Sequence, residues 1–228
     1  MKASNDKQNL CALNDDFLQR VTVLPQDYFW RPSPISGVTR MVFDSVGIEH
    51  ARTTCMVRFA PGAAFTAHHH PGGEEFLVID GMLEDEYGCY PEGTYVRNPI
   101  GTSHTPHVGP NGATLFVKLQ QFSIEDDVYV QFDTHQQEWL PGVVEGLEVM
   151  PLHEFDQEQT ALIRWPAHTQ FPKHEHVAGE EVLILEGKLL DEHGEYPAGS
   201  WFRNPPGSSH APFTLEDGAL LWVKSGHL

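Results

Sequence analysis

Cysteine and positive charge are scarce in this sequence, and long apolar runs are missing. Only Cys11, Cys55 and Cys89 occur among the 228 residues, an odd and scattered set with none in the second half. Neither a disulfide framework nor a CxxC zinc motif can be drawn from them, and a reducing, cytoplasmic location is the expectation. Fourteen Lys and Arg face 32 Asp and Glu, for a formal net charge of −18. A nucleic-acid partner or an anionic membrane surface would need clustered cations, so both are excluded as expectations. No stretch is apolar for long enough to cross a bilayer. Met1-Lys2 leads into polar residues 3–9, so no signal peptide is expected. No segment carries a convincing helical stripe of apolar residues.

The apolar content is nevertheless 40%, with 13 Phe, 6 Tyr and 5 Trp, enough for substantial cores. It comes in short β-branched and aromatic runs bounded by Gly and Pro. Arg20 to Leu24, Phe76 to Ile79, Gly93 to Asn98 and Thr114 to Leu119 each read as a strand. Many short strands separated by turns predict an all-β chain of sandwich or barrel domains.

The chain also repeats itself. A shift of 109 residues relates Val21 to Val130, Trp30 to Trp139, Gly37 to Gly146 and Met41 to Met150. From Val57 against Ile163 through Lys118 against Lys224 the shift is 106, and about half the positions between Phe65 and Pro106 are identical to their partners. Two copies of one domain follow. The expected division is an extension over 1–16 that is mobile or lies on the surface, a first domain over 17–122 and a second over 123–228.

Chemistry concentrates in His68-His69-His70-Pro71-Gly72-Gly73-Glu74-Glu75 and its twin His174-Glu175-His176-Val177-Ala178-Gly179-Glu180-Glu181. In extended chain His68 and His70 share a face while His69 points away. The turn residues 71–73 predict a hairpin that returns Glu74 to the histidines. A second stretch, Tyr90 to His104, has its twin in Tyr196 to His210. There Pro99 stops a strand and Gly101 turns it, delivering His104 as a fourth ligand. The candidate metal ligands are therefore His68, His70, Glu74 and His104 in copy one, and His174, His176, Glu180 and His210 in copy two.

Other duplicated polar residues carry weaker expectations. Glu75 and Glu181 should point away from the ligand glutamate, with surface and supporting roles both open. Arg58 with Arg164, Arg97 with Arg203, and Asn98 with Asn204 read as strand-end hydrogen-bonding residues. His69 and His107 are replaced by Glu175 and Phe213, so neither is a shared ligand.

These residues resemble the cupins, whose motifs read G(X)5HXH(X)3-4E(X)6G and G(X)5PXG(X)2HXXXN. Gly62, His68, His70, Glu74 and Gly81 fill the first motif, and Gly93, Pro99, Gly101 and His104 fill the second, with Val108 where Asn is usual. Copy two matches except for His168 at the first Gly position and Thr214 at the last. More narrowly, HxHxxGEE with YPxGxxxRNPxGxSH resembles the cupin domain of ChrR-type anti-sigma factors. Those proteins also carry an N-terminal zinc-binding domain that grips the sigma factor, and residues 1 to 20 with the isolated Cys11 do not supply it. The resemblance implies two tandem jelly-roll (double-stranded β-helix) domains, each binding one divalent transition metal.

Three imidazoles and a carboxylate do not by themselves distinguish Zn, Fe, Mn or Ni. A closed zinc shell favours structure or sensing, whereas an ion with free positions suits oxidation chemistry. The leading expectation is a metal-dependent oxygenase, such as a dioxygenase, or a related oxidoreductase acting on a small organic molecule. The alternatives are a non-catalytic ChrR-like regulator, for which a sigma factor is the partner, and a small-molecule binding protein. A homodimer is open.

Overall fold

The computed structural model describes residues 12–47 and 51–228. Of the extension expected over 1–16, residues 1–11 lie outside the described residues, Cys11 among them. The strands are β1 (Ala12–Leu13), β2 (Val21–Val23), β3 (Arg31–Pro32), β4 (Val38–Val46), β5 (Arg52–Phe59), β6 (His68–His69) and β7 (Glu74–Asp85). There follow β8 (Gly88–Pro91), β9 (Thr94–Asn98), β10 (Ser103–His104), β11 (His107–Leu119), β12 (Val130–Asp133), β13 (Leu140–Pro141) and β14 (Glu148–Phe155). The last are β15 (Glu158–Trp165), β16 (His174–His176), β17 (Glu180–Asp191), β18 (Gly194–Pro197), β19 (Trp201–Asn204), β20 (Ser208–His210) and β21 (Ala219–Ser225). Two single-turn 3-10 helices, at Pro25–Asp27 and Thr134–Gln136, are the only helical residues among those described. The all-β, tandem jelly-roll expectation is met, and no helix is long and apolar enough to cross a membrane among the described residues.

The chain forms two compact units, neither of them continuous in sequence. Among the described residues, one comprises 12–15, 29–47 and 51–135, the other 16–28 and 136–228. In the first, strands run in the order β1-β4-β5-β11-β7-β9-β12, with β3 on β4 and β8 on β7, and β6 pairs with β10 in a separate ribbon. The second repeats this as β13-β14-β15-β21-β17-β19-β2, with β18 on β17 and a β16–β20 ribbon. The terminal strand of each sheet, β12 or β2, thus comes from the stretch of chain that precedes the other unit. All ladders are antiparallel.

Alternation along the strands fills each jelly roll. Val57 and Phe59 of β5, Phe76 and Val78 of β7, and Leu115 and Val117 of β11 turn into one core in the first unit. Val182, Ile184, Leu221 and Val223 do the same in the second. Burying each such side chain contributes roughly 1.5–3 kcal/mol before the entropy of ordering is charged against it.

Two details correct or extend the sequence reading. The hairpin expected between the HxH segment and the strand beginning at Glu74 does not form. β7 is bonded along one edge to β11 and along the other to β9 and β8, so no edge is left for β6, which pairs with β10 instead. The loop before His174, where His168 replaces Gly62, keeps its shape. Both residues take a left-handed backbone, φ 73° at Gly62 and 56° at His168. Their amides donate to equivalent carbonyls, Gly62 to Gly109 and His168 to Leu215.

Candidate metal centres

Each centre is assembled where a short ribbon meets the start of a long strand. His68 and His104 face each other across the β6–β10 ladder, and His174 and His210 across β16–β20. His70 is 2% exposed while His69 between it and His68 is exposed, as alternation requires. The PxG turn fixes His70 from behind: the Gly101 amide donates to the His70 carbonyl and the His70 amide to Thr102, both at 2.9 Å. Gly207 donates to His176 in the same way at 2.8 Å. Gly101 at φ +86° and Gly207 at +76° adopt a conformation that other residues reach only with strain.

Glu74 opens β7 opposite Asn98 of β9, and Glu180 opens β17 opposite Asn204 of β19. Each Asn amide donates to its glutamate at 3.0 Å, leaving the carboxylate aimed at the imidazoles. Glu74 Oε2 lies 3.6 Å from His70 Nε2 and 3.5 Å from His104 Nε2; the corresponding distances from Glu180 to His176 and His210 are 3.4 and 3.7 Å. Imidazole centroids are 4.7–5.0 Å apart in both units. One ligand atom from each of the four residues lies within 4.8 Å of the others in each cluster. The eight residues singled out in the sequence are thus brought together as two sets of four.

The outer nitrogens are occupied and the inner ones are not. His68 and His174 donate Nδ1–H to the Thr66 and Pro172 carbonyls, each at 3.1 Å. His104 and His210 donate Nδ1–H to Asp85 and Asp191, each at 3.0 Å. The Nε2 atoms of His70, His104 and His176 are buried with no hydrogen-bond partner. Two of these buried acceptors converge on Glu74 in the first unit and the third faces Glu180 in the second, cradles that a cation fits and that a neutral pocket lining does not explain. Electrostatics agree. Burial holds His70 and His174 below the usual imidazole range, and burial together with His210 and His174 pushes His176 down to about 3. These three histidines are therefore kept neutral, as ligation needs. Burial raises the Glu180 carboxyl, against the pull of His210 and Asn204.

Sequence reading missed Asp85 and Asp191. Asp85 accepts from His104 on one oxygen and from Tyr90, Tyr87 and Gly88 on the other; Asp191 does so from His210, Tyr196, His193 and Gly194. Burial would raise Asp191, but these bonds and Arg20 outweigh it and hold the carboxyl below its ordinary range. The signal was present, since both aspartates and both tyrosines recur at the 106 shift. The units differ here: Arg20 pairs with Asp191 at 2.9 Å, and Tyr129 stands at the equivalent position in the first unit.

Glu75 and Glu181 do point away, and they are buried. Glu75 binds Tyr95 at 2.5 Å and Arg97, and Glu181 binds Trp201 and His227. Arg58 and Arg164 stack on Trp30 and Trp139 at 4.1 and 4.0 Å. Beside the first cluster lies a cavity of about 300 Å³, walled by Val57, Phe59, Phe65, Phe76 and Leu115.

The family model for the ChrR cupin-like domain matches the chain twice, over residues 18–123 and 126–228. The chain belongs to the ChrR cupin-like family. Solved structures with the same cupin fold include a candidate dioxygenase from Nostoc punctiforme, 14% identical over 92% of this chain and 84% of that one, with a TM-score of 0.77. YlbA from E. coli is 14% identical over 92% and 91% of the two chains, with a TM-score of 0.70. An S161A variant of Bacillus subtilis oxalate decarboxylase OxdC is 16% identical over 91% and 77%, with a TM-score of 0.62. At these identities the likeness establishes the cupin fold. No curated protein matches the chain in sequence.

Proposed function

We propose that this bicupin binds two divalent transition-metal ions and acts as a metal-dependent oxygenase or related oxidoreductase on a small organic molecule. His68, His70, Glu74 and His104 would hold one ion, and His174, His176, Glu180 and His210 the other. The observation that carries the reading is the buried, partnerless Nε2 atoms turned towards the cluster's glutamate, Glu74 for His70 and His104 and Glu180 for His176, with an apolar cavity large enough for a small substrate beside the first cluster. Iron or manganese bound there would supply redox chemistry with dioxygen; zinc or nickel would use the same ligands. The residues of the chain do the rest. Asp85 and Asp191 orient His104 and His210 and hold their Nδ1 protons, Asn98 and Asn204 aim the glutamates, and the phenylalanine walls exclude water. The candidate dioxygenase and the oxalate decarboxylase among the fold neighbours are in keeping with this, as are the unpaired thiols of Cys55 and Cys89 with a cytoplasmic location.

Oxygen consumption by iron-loaded protein across a panel of small organic acids, phenols and diketones tests the proposal. Uptake that zinc-loaded protein lacks is expected, and an iron-loaded protein inert to the whole panel would count against an oxygenase. The family match favours a second reading, a ChrR-like regulator in which the loaded cupins change contact with a sigma factor. Metal-dependent co-purification with a sigma factor would support that reading.

A further inference from the structure

Strand β4 carries one residue that its jelly roll does not require. Val38 and Val42 turn into the core of the first unit, and Arg40 between them lies on that inward face. Arg40 lines the 300 Å³ cavity together with His68, His70, Glu74 and His104, and among the described residues it is the only Lys or Arg that does so. Its Nε is buried with no hydrogen-bond partner, and no carboxylate among the described residues lies within ion-pair distance of the guanidinium.

The second unit shows that the fold has no need of this cation. Arg40 lies opposite Val57 in the β4–β5 ladder, and Val149 lies opposite Ile163 in the β14–β15 ladder at the equivalent register. The same position is thus apolar in one repeat and cationic in the other. An unpaired guanidinium facing a mostly apolar cavity lowers stability, which makes a ligand-binding role the physical account of its presence. Guanidinium groups recognise planar anions through paired N–H donors, and carboxylate is the planar anion of small organic molecules.

We propose that the first unit's cavity takes a small carboxylic acid with an apolar body, its carboxylate on Arg40 and its hydrocarbon part among Phe59, Phe65 and Phe76, next to the His–Glu cluster. The cavity volume equals about ten water molecules at ~30 Å³ each, which limits the ligand to a single aromatic ring or a short branched chain. This assignment names a substrate class and rests on the reading of the first cluster as a reaction centre.

The test is calorimetric titration of phenylacetate against phenylacetamide, and of 4-methylpentanoate against its amide. It uses wild type, Arg40→Met and Arg40→Lys, each both metal-loaded and chelator-stripped, with metal content measured in parallel. Wild type should bind at least one acid about tenfold or more tighter than its amide. Arg40→Met should erase that preference with unchanged metal content, and Arg40→Lys should keep part of it. Without ligand, Arg40→Met should melt at a higher temperature than wild type, a gain that a merely structural arginine would not give. Equal binding of acid and amide, no binding by wild type, or a preference that survives in Arg40→Met would each overturn the assignment. A preference that depends on Arg40 in protein that takes up no metal would leave the acid site standing and remove the metal reading. Full metal content without that preference would do the reverse.

Discussion

At the scale of residues, neutrality of the imidazoles decides how the centres respond to pH. His70, His174 and His176 are held below the ordinary value of about 6.5, His176 down to about 3. Protons therefore bind the unfolded chain before the folded one as pH falls. The stability tied to these groups is fully present above about pH 6.5 and is lost progressively towards pH 3. For protein kept metal-free with chelator, the melting temperature should fall between pH 7 and pH 5, and His176→Gln should flatten the slope. An unchanged slope in that variant would remove His176 from the account. Asp85 offers a separate check, because it orients His104 without touching the cradle itself. Asp85→Ala should weaken metal binding in the first unit about 10–100-fold, read by competition with a chromogenic chelator, while the second unit keeps its affinity. The ligands were legible because the HxH alternation and the 106 shift are patterns of single residues. Asp85 was passed over although it recurs at the same shift, because the recurrence of an aspartate at a turn does not say which side chain it holds.

At the scale of elements, the glycines and β7 govern how the ligands are presented. Gly81 sits at φ +78° between the two register shifts of the β7–β11 ladder, and a Cβ there would lie 2.3 Å from the Gly112 carbonyl oxygen. Backbone against backbone leaves no side chain to move aside, so Gly81→Ala should destabilise the first unit by about 2 kcal/mol or more in urea unfolding. His168 makes the opposite prediction. It holds a left-handed backbone at φ 56°, and its ion pair with Glu216 is exposed. His168→Gly should therefore stabilise by roughly 0.5–1 kcal/mol, the relief of strain exceeding the entropy glycine adds to the unfolded chain. Strand positions could be read in advance because β-branched runs end at Gly and Pro. Strand partners could not, and the hairpin expected at Glu74 shows why. Pairing depends on which edges remain free, and β11, β8 and β9 had already taken both edges of β7.

At the scale of the molecule, sequence repeats and compact units do not share boundaries. The family model divides the chain near residue 125, yet β12 completes the first sheet and β2 the second. A division at 122/123 would leave each fragment short of a strand, and the second also short of Arg20 and of the Asp16 carbonyl that accepts from Arg203. Fragments 1–122 and 123–228 should unfold at lower temperature apart than the intact chain does. Two fragments each melting as the intact chain does would contradict this. The exchange of strands was not legible because Val21–Val23 and Val130–Asp133 match at the 109 shift whichever sheet they join. Only the long-range ladders to β19 and β9 decide it.

The most direct test of the central claim is elemental analysis of protein purified without a nickel column, on wild type, His104→Ala and His210→Ala. Wild type should carry close to two divalent transition-metal ions per chain, and each variant close to one. A wild type that stays metal-free after reconstitution, or variants that keep the full complement, would contradict the assignment of the two His–Glu clusters as metal centres.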